Sequence, residues 1–166
     1  MTARNLVRDS VIGAISGYVG VRVMDLATTK LYEMTPEQVK EQEKKVSPGI
    51  SYEIAAKDLA SRVGMRLSDR QAQRMGNAFH FGLALKAGEM YVLLRQKSSL
   101  GAVTCATVTA MVLFLGVDEG LTPMMGWSAP ASAYPVATHA RGLVGHLVLG
   151  ATIATTAEFL WWALDP

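Results

Sequence analysis

The sequence predicts an all-α fold, a four-transmembrane-helix bundle with a helical amphipathic insert between helices 1 and 2. Half of the residues are hydrophobic and only 18% are charged, below the roughly 25% typical of soluble domains. The chain also contains 15 glycines, which lie mostly within apolar runs, where glycine lets membrane helices approach closely. The run from Leu100 to Val117 has no charge, and about 18 such residues are enough to cross a bilayer.

Composition and motifs also narrow the function classes. The formal net charge of +2, without a basic stripe, predicts no nucleic-acid partner. The single cysteine, Cys105, has no intramolecular disulfide partner and is expected to be a small buried side chain. The sequence contains no nucleophile elbow, phosphate-binding loop or dinucleotide fingerprint, so no enzymatic activity is predicted.

The first predicted unit, residues 1–32, is transmembrane helix 1. Its three glycines, Gly13, Gly17 and Gly20, have the spacing of one helical face and are expected to pack against another helix. Arg22 and Asp25 are separated by three residues, so they are expected to form an ion pair within the helix.

The second predicted unit, residues 33–74, is a polar helical insert. The Ser-Pro-Gly sequence at 47–49 is expected to break it into two helices. The helix that starts at Ser51 has apolar residues interleaved with basic ones, which is typical of a helix on the membrane surface. A helix packed on a soluble partner has a similar pattern and is the alternative.

The third predicted unit, residues 75–166, contains transmembrane helices 2–4. A capping box from Ser68 to Gln71 is expected to start helix 2. Within that helix Lys86 and Glu89 are expected to pair, because unpaired charges are costly in lipid. Four spans would place both chain ends on one side of the membrane, while the distribution of basic residues leaves the orientation open.

Several short sequences, taken in order, resemble one family. They are "HFG" at 80–82, "DEGLTPMMG" from Asp118 and "YPVATHARGLVGHLVLG" from Tyr134. Together with the glycine-rich first helix, this order resembles the YagU-like family of bacterial inner-membrane proteins over about Gly76–Trp162. The resemblance implies a multi-pass protein of the bacterial inner membrane, and it supplies no catalytic residue.

The three histidines are candidate ligands. His139 and His146 have the spacing of one helical face, which also carries the predicted packing residues Gly142 and Gly150. Facing histidines in a bundle can bind haem or a transition metal, and His80, His139 and His146 are the candidates. Hydrogen bonding between helices explains them more simply, so no cofactor is predicted and haem or metal is the alternative.

An acidic pair ends the third helix. Asp118 and Glu119 are followed by a loop that returns the chain to the same side of the membrane, where His139 and Arg141 begin the fourth helix. Such a cluster could bind a cation or relay protons, or it could be a structural ion pair.

The predicted function is a non-enzymatic accessory or assembly subunit of a membrane complex, or a small oligomeric channel-like component. Its expected partners are the lipid bilayer and other membrane subunits or copies of the chain. The alternatives are a haem- or metal-binding membrane protein and a proton or cation pathway through Asp118, Glu119 and His139.

Overall fold

The computed structural model describes residues 3–164, with side chains described from residue 6 onward. Residues 1–2 and 165–166 of the predicted units lie outside this part of the chain. Within it every regular element is helical. In order these are α1 (Ala3–Glu33), α2 (Glu37–Val46), α3 (Ser51–Arg62), α4 (Asp69–Lys97), α5 (Ala102–Met111), a π-helical segment (Val112–Leu121), α6 (Thr122–Met124), a 3-10 turn (Ala131–Ala133) and α7 (Val136–Leu164).

Three of these helical stretches are long and apolar enough to cross a membrane. They are Leu6–Glu33, Ala102–Met124 and Val136–Leu164, so the prediction of an all-helical membrane protein is confirmed in this form. The fourth predicted span, within α4, does not meet the same criteria among the described residues. Charged side chains such as Arg70, Lys86 and Glu89 lower the hydropathy of α4.

Helix α1 packs between α4 and α7 and is antiparallel to both of them. Gly13 and Gly17 of α1 meet the backbone of α4, where Gly88 and Ala84 supply the facing surface. A Cβ atom added at Gly17 would overlap the carbonyl oxygen of Ala84. These two glycines therefore permit the close backbone contact that was predicted.

Gly20 contacts a different helix from Gly13 and Gly17. A Cβ at this position would lie 2.9 Å from Ile153 and 3.0 Å from Leu149, both on α7. The three glycines share one face of α1, as their spacing predicts, but this face contacts two helices, α4 and α7. Gly145 of α7, which was not predicted, makes the corresponding close approach to Thr28 of α1.

The opposite face of α7 packs on α5 and the π-helical segment. Gly150 lies against the backbone of Ala106, and Gly142 lies against the ring of Phe114. Both glycines therefore pack between helices as predicted. Cys105 is fully buried in the same region, which confirms its predicted burial.

A π-helical segment of 10 residues, Val112–Leu121, continues directly from α5. π-Helical structure is rare and is mostly found as single-turn bulges within α-helices. The segment carries Asp118 and Glu119, and the Thr122 hydroxyl just beyond it donates to the Asp118 carbonyl oxygen.

The insert folds back onto one end of the long helices. The small residues Ala55, Ala56 and Ala60 of α3 are buried, and Gly76 of α4 lets the backbone of α3 approach closely. The helix break at 47–49 and the capping box at Ser68 are both confirmed. Because α4 begins at Asp69, the insert ends before residue 74.

The opposite end of the long helices has its own polar contacts. Glu158 of α7 accepts hydrogen bonds from Arg95 Nε at 2.6 Å and from the Tyr91 hydroxyl at 2.8 Å. Asp9 is buried and accepts a hydrogen bond from Trp161 Nε1 at 3.0 Å. These contacts connect α4 and α1 to the end of α7.

Candidate functional site

A polar cavity of about 360 Å³ lies where α7 begins and α1 ends. The insert covers it on one side, and the π-helical segment and its following loop form another wall. We call it the polar cavity. Its ionisable and hydroxyl-bearing lining residues are Thr28, Glu43, Ser47, Ser51, Tyr52, Asp118, Glu119, Thr122, Ser128, Tyr134, Thr138, His139 and Arg141.

His139 connects the start of α7 to the π-helical segment. Its Nδ1 atom lies 2.6 Å from Oε1 of Glu119, and its Nε2 atom lies 3.0 Å from the carbonyl oxygen of Ala131. Both neighbours are hydrogen-bond acceptors, so each contact requires a proton on the ring nitrogen. The geometry therefore fits a doubly protonated imidazolium beside a carboxylate.

His146 lies deeper along α7 and is nearly fully buried. Its Nδ1 atom donates to the carbonyl oxygen of Gly142 at 2.9 Å, which leaves Nε2 directed to Asp118. The Nε2–Oδ2 distance is 3.6 Å, longer than a hydrogen bond. A neutral imidazole therefore presents an unprotonated nitrogen to this carboxylate, and a proton added there would complete an ion pair.

His80 of α4 contacts α1, with its Nε2 atom 3.0 Å from Oδ1 of Asp25. This contact corrects the predicted pair of Arg22 with Asp25. Asp25 faces the neighbouring helix, whereas the Arg22 side chain is exposed and makes no ion pair within 4 Å among the described residues. Because α1 packs on α4, the partner of Asp25 is His80 of α4 and not Arg22 of its own helix.

Each histidine thus lies beside a different carboxylate of another element. The described residues contain no group of three or more histidine, cysteine and acidic side chains arranged to hold a metal. The metal or haem role of His80, His139 and His146 stays a prediction, and their observed neighbours are carboxylates.

Arg141 attaches the insert to α7. One guanidinium nitrogen, Nη2, contacts both carboxylate oxygens of Glu43 at 2.7 and 2.8 Å, and Thr138 donates to the same carboxylate at 3.0 Å. The guanidinium also stacks 5.0 Å above the ring of Tyr32, which Lys40 approaches as well. Arg141 Nη1 is buried and has no protein acceptor within hydrogen-bond distance.

Tyr52 of α3 lies at the centre of this end of the molecule. Its ring is 5.1 Å from the His80 ring. Burial raises the pKa of the Tyr52 hydroxyl, and the negative charges of Asp118 and Asp25 raise it further. The tyrosine therefore stays protonated between two carboxylates that belong to different helices.

The charges at the cavity are unbalanced when the histidines are neutral. Among the described lining residues, the carboxylates are those of Glu43, Asp118 and Glu119, whereas Arg141 supplies the one permanent positive charge. Protonated histidines would neutralise the surplus, and so would a bound cation. The cavity is therefore suited to bind a cation or protons.

The structure brings together the four predicted residues Asp118, Glu119, His139 and Arg141, all of which line the cavity. Arg141 pairs with the insert and not with either carboxylate of the π-helical segment. The predicted Lys86–Glu89 contact is confirmed at 2.8 Å. It lies outside the cavity lining.

Sequence patterns missed Glu43 and Tyr52, because the insert was expected on the membrane surface. They also missed Glu158, although an acidic residue inside an apolar helix is itself a sign of a polar partner.

We compared the chain with protein-family models, curated proteins and solved structures, and it matches none of them. The YagU-like resemblance therefore stays a prediction.

Proposed function

We propose that this membrane protein binds a small cation in the polar cavity and releases protons from its histidines as it does so. The observation that carries the proposal is the set of three histidine–carboxylate contacts around one end of the molecule, with Asp118 beside both the cavity and His146. The proposal starts from the proton or cation pathway that the sequence offered as an alternative function, and it assigns that role to one site.

The physical basis is competition for the same negative charge. A cation beside Asp118 and Glu119 disfavours the protonated form of the neighbouring imidazoles, because like charges repel at short distance. Histidine changes its charge near neutral pH, so cation binding and proton release are linked. The groups involved are Asp25 on α1, Lys40 and Glu43 on α2, Tyr52 on α3, His80 on α4, Asp118 and Glu119 on the π-helical segment, and His139, Arg141 and His146 on α7.

Proton release on cation addition tests the proposal. The purified protein is placed in weakly buffered detergent solution with a pH-sensitive dye, and sodium, potassium or ethylammonium chloride is added. We expect saturable proton release with at least one of these cations and its loss in Asp118→Asn. The control is Asp69→Asn, because Asp69 is exposed and pairs with Lys57 of the insert. Equal release by both variants, or none by the parent protein, would overturn the proposal.

We also propose that α4 is the fourth membrane span and that the protein resides in the bacterial inner membrane. Support comes from the packing of α4 along α1 and from the pairing of Lys86 with Glu89, which lowers the cost of burying both charges. A cysteine at position 86, in a Cys105→Ser background, should resist a membrane-impermeant maleimide in intact vesicles. Lys57→Cys, at an exposed position, is the accessible control, with the reagent added on the side of the membrane where residue 57 lies. Rapid labelling at position 86 from either side would contradict a fourth span.

A small oligomeric component is the second candidate function. The face between α5 and α7 contains a groove of about 420 Å³ lined mainly by small or apolar residues, including Ala102, Ala106 and Ala151. Grooves of small residues favour close packing of a second helix in lipid, and here a helix of a second copy is the proposed occupant. If so, Ala151→Trp should convert an oligomer to a monomer in native mass spectrometry. A monomeric parent protein would contradict this role for the groove.

A further inference from the structure

A second opening, which we call the lateral groove, lies between α3, α4 and the π-helical segment. Its volume is about 480 Å³. The walls are predominantly apolar and include Leu59, Phe79, Leu83, Val117 and Leu121. Lys86 lies at its border, where the ammonium group is already paired with Glu89. The groove is therefore suited to an apolar chain or ring.

The lateral groove and the polar cavity share a wall. Ser51, Tyr52 and Thr122 line both spaces. The Thr122 hydroxyl is engaged with the Asp118 carbonyl and the Ser128 hydroxyl, so this side chain is fixed. Tyr52 is the bulky side chain of the shared wall, so it borders an apolar space on one side and a carboxylate-rich space on the other.

We propose that the bound cation is an amphiphilic amine, with its ammonium group in the polar cavity beside Asp118 and its apolar arm in the lateral groove. The inference rests on the proposed cation site and specifies its ligand class. Charge complementarity selects the head group, because the carboxylates of the cavity exceed its one permanent cation. The adjoining groove selects the arm, because burying apolar surface is favourable whereas burying a second charge there is not.

Two features of the shared wall favour this class of ligand. The Tyr52 ring borders both spaces, and an aromatic face next to an ammonium group contributes a cation–π attraction. A Cβ added at Gly82, on the α4 side of the groove, would meet no atom within 4 Å. Open space therefore remains where the apolar arm would lie.

Trp127 provides a local probe, because it lines the lateral groove while Trp161 lies at the other end of the molecule beside Asp9. In phosphatidylcholine vesicles, a terminally brominated alkylamine is compared with the brominated alcohol of equal chain length. The Trp127 component is the part of the quenching that disappears in Trp127→Phe. We expect the amine to quench this component saturably, at a concentration about tenfold or more below that of the alcohol, because its charged head group gains a carboxylate partner.

Two variants separate the head-group site from the arm site. Gly82→Leu fills the groove and should abolish quenching of Trp127 while leaving ethylammonium-linked proton release intact, which also shows that the variant is folded. Asp118→Asn should remove the preference for amine over alcohol. Equal quenching by amine and alcohol in the parent protein, or quenching unaffected by Gly82→Leu, would overturn the inference.

Proton release by ethylammonium and by the alkylamine distinguishes this inference from the proposed function. If ethylammonium releases protons but the alkylamine binds no more tightly than ethylammonium, the cation site stands and the lateral groove is not part of it. If neither amine releases protons, this inference fails, whereas the proposed function fails only if sodium and potassium also release none.

Discussion

The imidazole of His139 joins the π-helical segment to the start of α7, with its Nδ1 atom 2.6 Å from Oε1 of Glu119. The same ring reaches the carbonyl oxygen of Ala131 in the preceding loop. One side chain thus connects three parts of the chain around the polar cavity. Loss of its proton would leave one of the two acceptors without a donor, so the arrangement depends on the charge of the ring.

The Glu119–His139 contact should stabilise the fold measurably. Glu119→Gln removes the negative charge opposite the imidazolium, and we expect a loss of roughly 1.5–3 kcal/mol in unfolding free energy, the range for a hydrogen bond to a charged group. The matched control is Glu33→Gln, because Glu33 forms an exposed pair with Lys30 that contributes about 0–1 kcal/mol. Denaturant unfolding in detergent measures both, and equal effects would contradict a structural role for the Glu119 contact.

Gly17 should not tolerate a side chain. In Gly17→Ala the new Cβ would overlap the carbonyl oxygen of Ala84, so α1 and α4 must move apart at a cost of about 1–3 kcal/mol. Gly82→Ala is the matched control on α4, since its Cβ meets open space and alanine favours the helix by about 1 kcal/mol. Thermal unfolding should therefore move in opposite directions for the two variants. An unchanged unfolding temperature in Gly17→Ala would show that α1 and α4 are not in close backbone contact at this position.

Tyr91 should contribute through its hydroxyl group. The residue is fully buried and donates a hydrogen bond of 2.8 Å to Glu158. Tyr91→Phe leaves the ring but removes this donor, and we expect a loss of roughly 1.5–3 kcal/mol. Tyr18→Phe is the control, because the Tyr18 ring is half exposed and stacks on Phe81 through the ring alone. Chemical denaturation measures the unfolding free energy of both variants. Equal losses in Tyr91→Phe and Tyr18→Phe would contradict a stabilising role for the Tyr91 hydroxyl.

Asp58 should make the docking of Trp127 sensitive to acid. The indole Nε1 of Trp127 donates to Oδ2 of Asp58 at 2.9 Å, and this bond, together with Arg62, lowers the pKa of the Asp58 carboxyl group. A lowered folded-state pKa means that the contact is fully present above the ordinary aspartate pKa of about 3.9 and is lost as the pH falls through the folded value. The Trp127 emission should therefore shift in acid below the ordinary aspartate pKa.

Asp58→Asn is the control for that titration, because asparagine retains an acceptor oxygen but does not titrate. In this variant the acid-dependent shift of the Trp127 component should disappear. A shift that persists unchanged would assign the transition to another group.

Local patterns predicted the helices because apolar length, glycine spacing and capping are properties of neighbouring residues. The box at Ser68 starts α4 through hydrogen bonds with Gln71 alone, and Lys86 reaches Glu89 within one helix turn. The contact of Asp25 with His80 depends on how α1 packs against α4. No local pattern contains that information, so the sequence favoured the nearer Arg22.

The candidate site was predictable only in part, for the same reason. The order of the elements was enough to place Asp118 and Glu119 near His139 and Arg141. The roles of Glu43 and Tyr52 depend on the insert folding over the end of the long helices, and its amphipathic pattern fits a membrane surface equally well. The π-helical segment was also not predicted, because α- and π-helices have no distinguishing apolar pattern over ten residues.

Nitrogen NMR of the histidine rings tests the central claim most directly. The chain has 3 histidines, and His139 and His146 lie beside Glu119 and Asp118 of the polar cavity, whereas His80 lies beside Asp25. In protein labelled with ¹⁵N-histidine and held near neutral pH, the cation that releases protons should convert at least the His139 signals from the charged to the neutral ring pattern, because both nitrogens of this ring contact acceptors. The same cation should leave these signals unchanged in Asp118→Asn. Imidazole signals that do not respond to that cation in the parent protein would contradict the account.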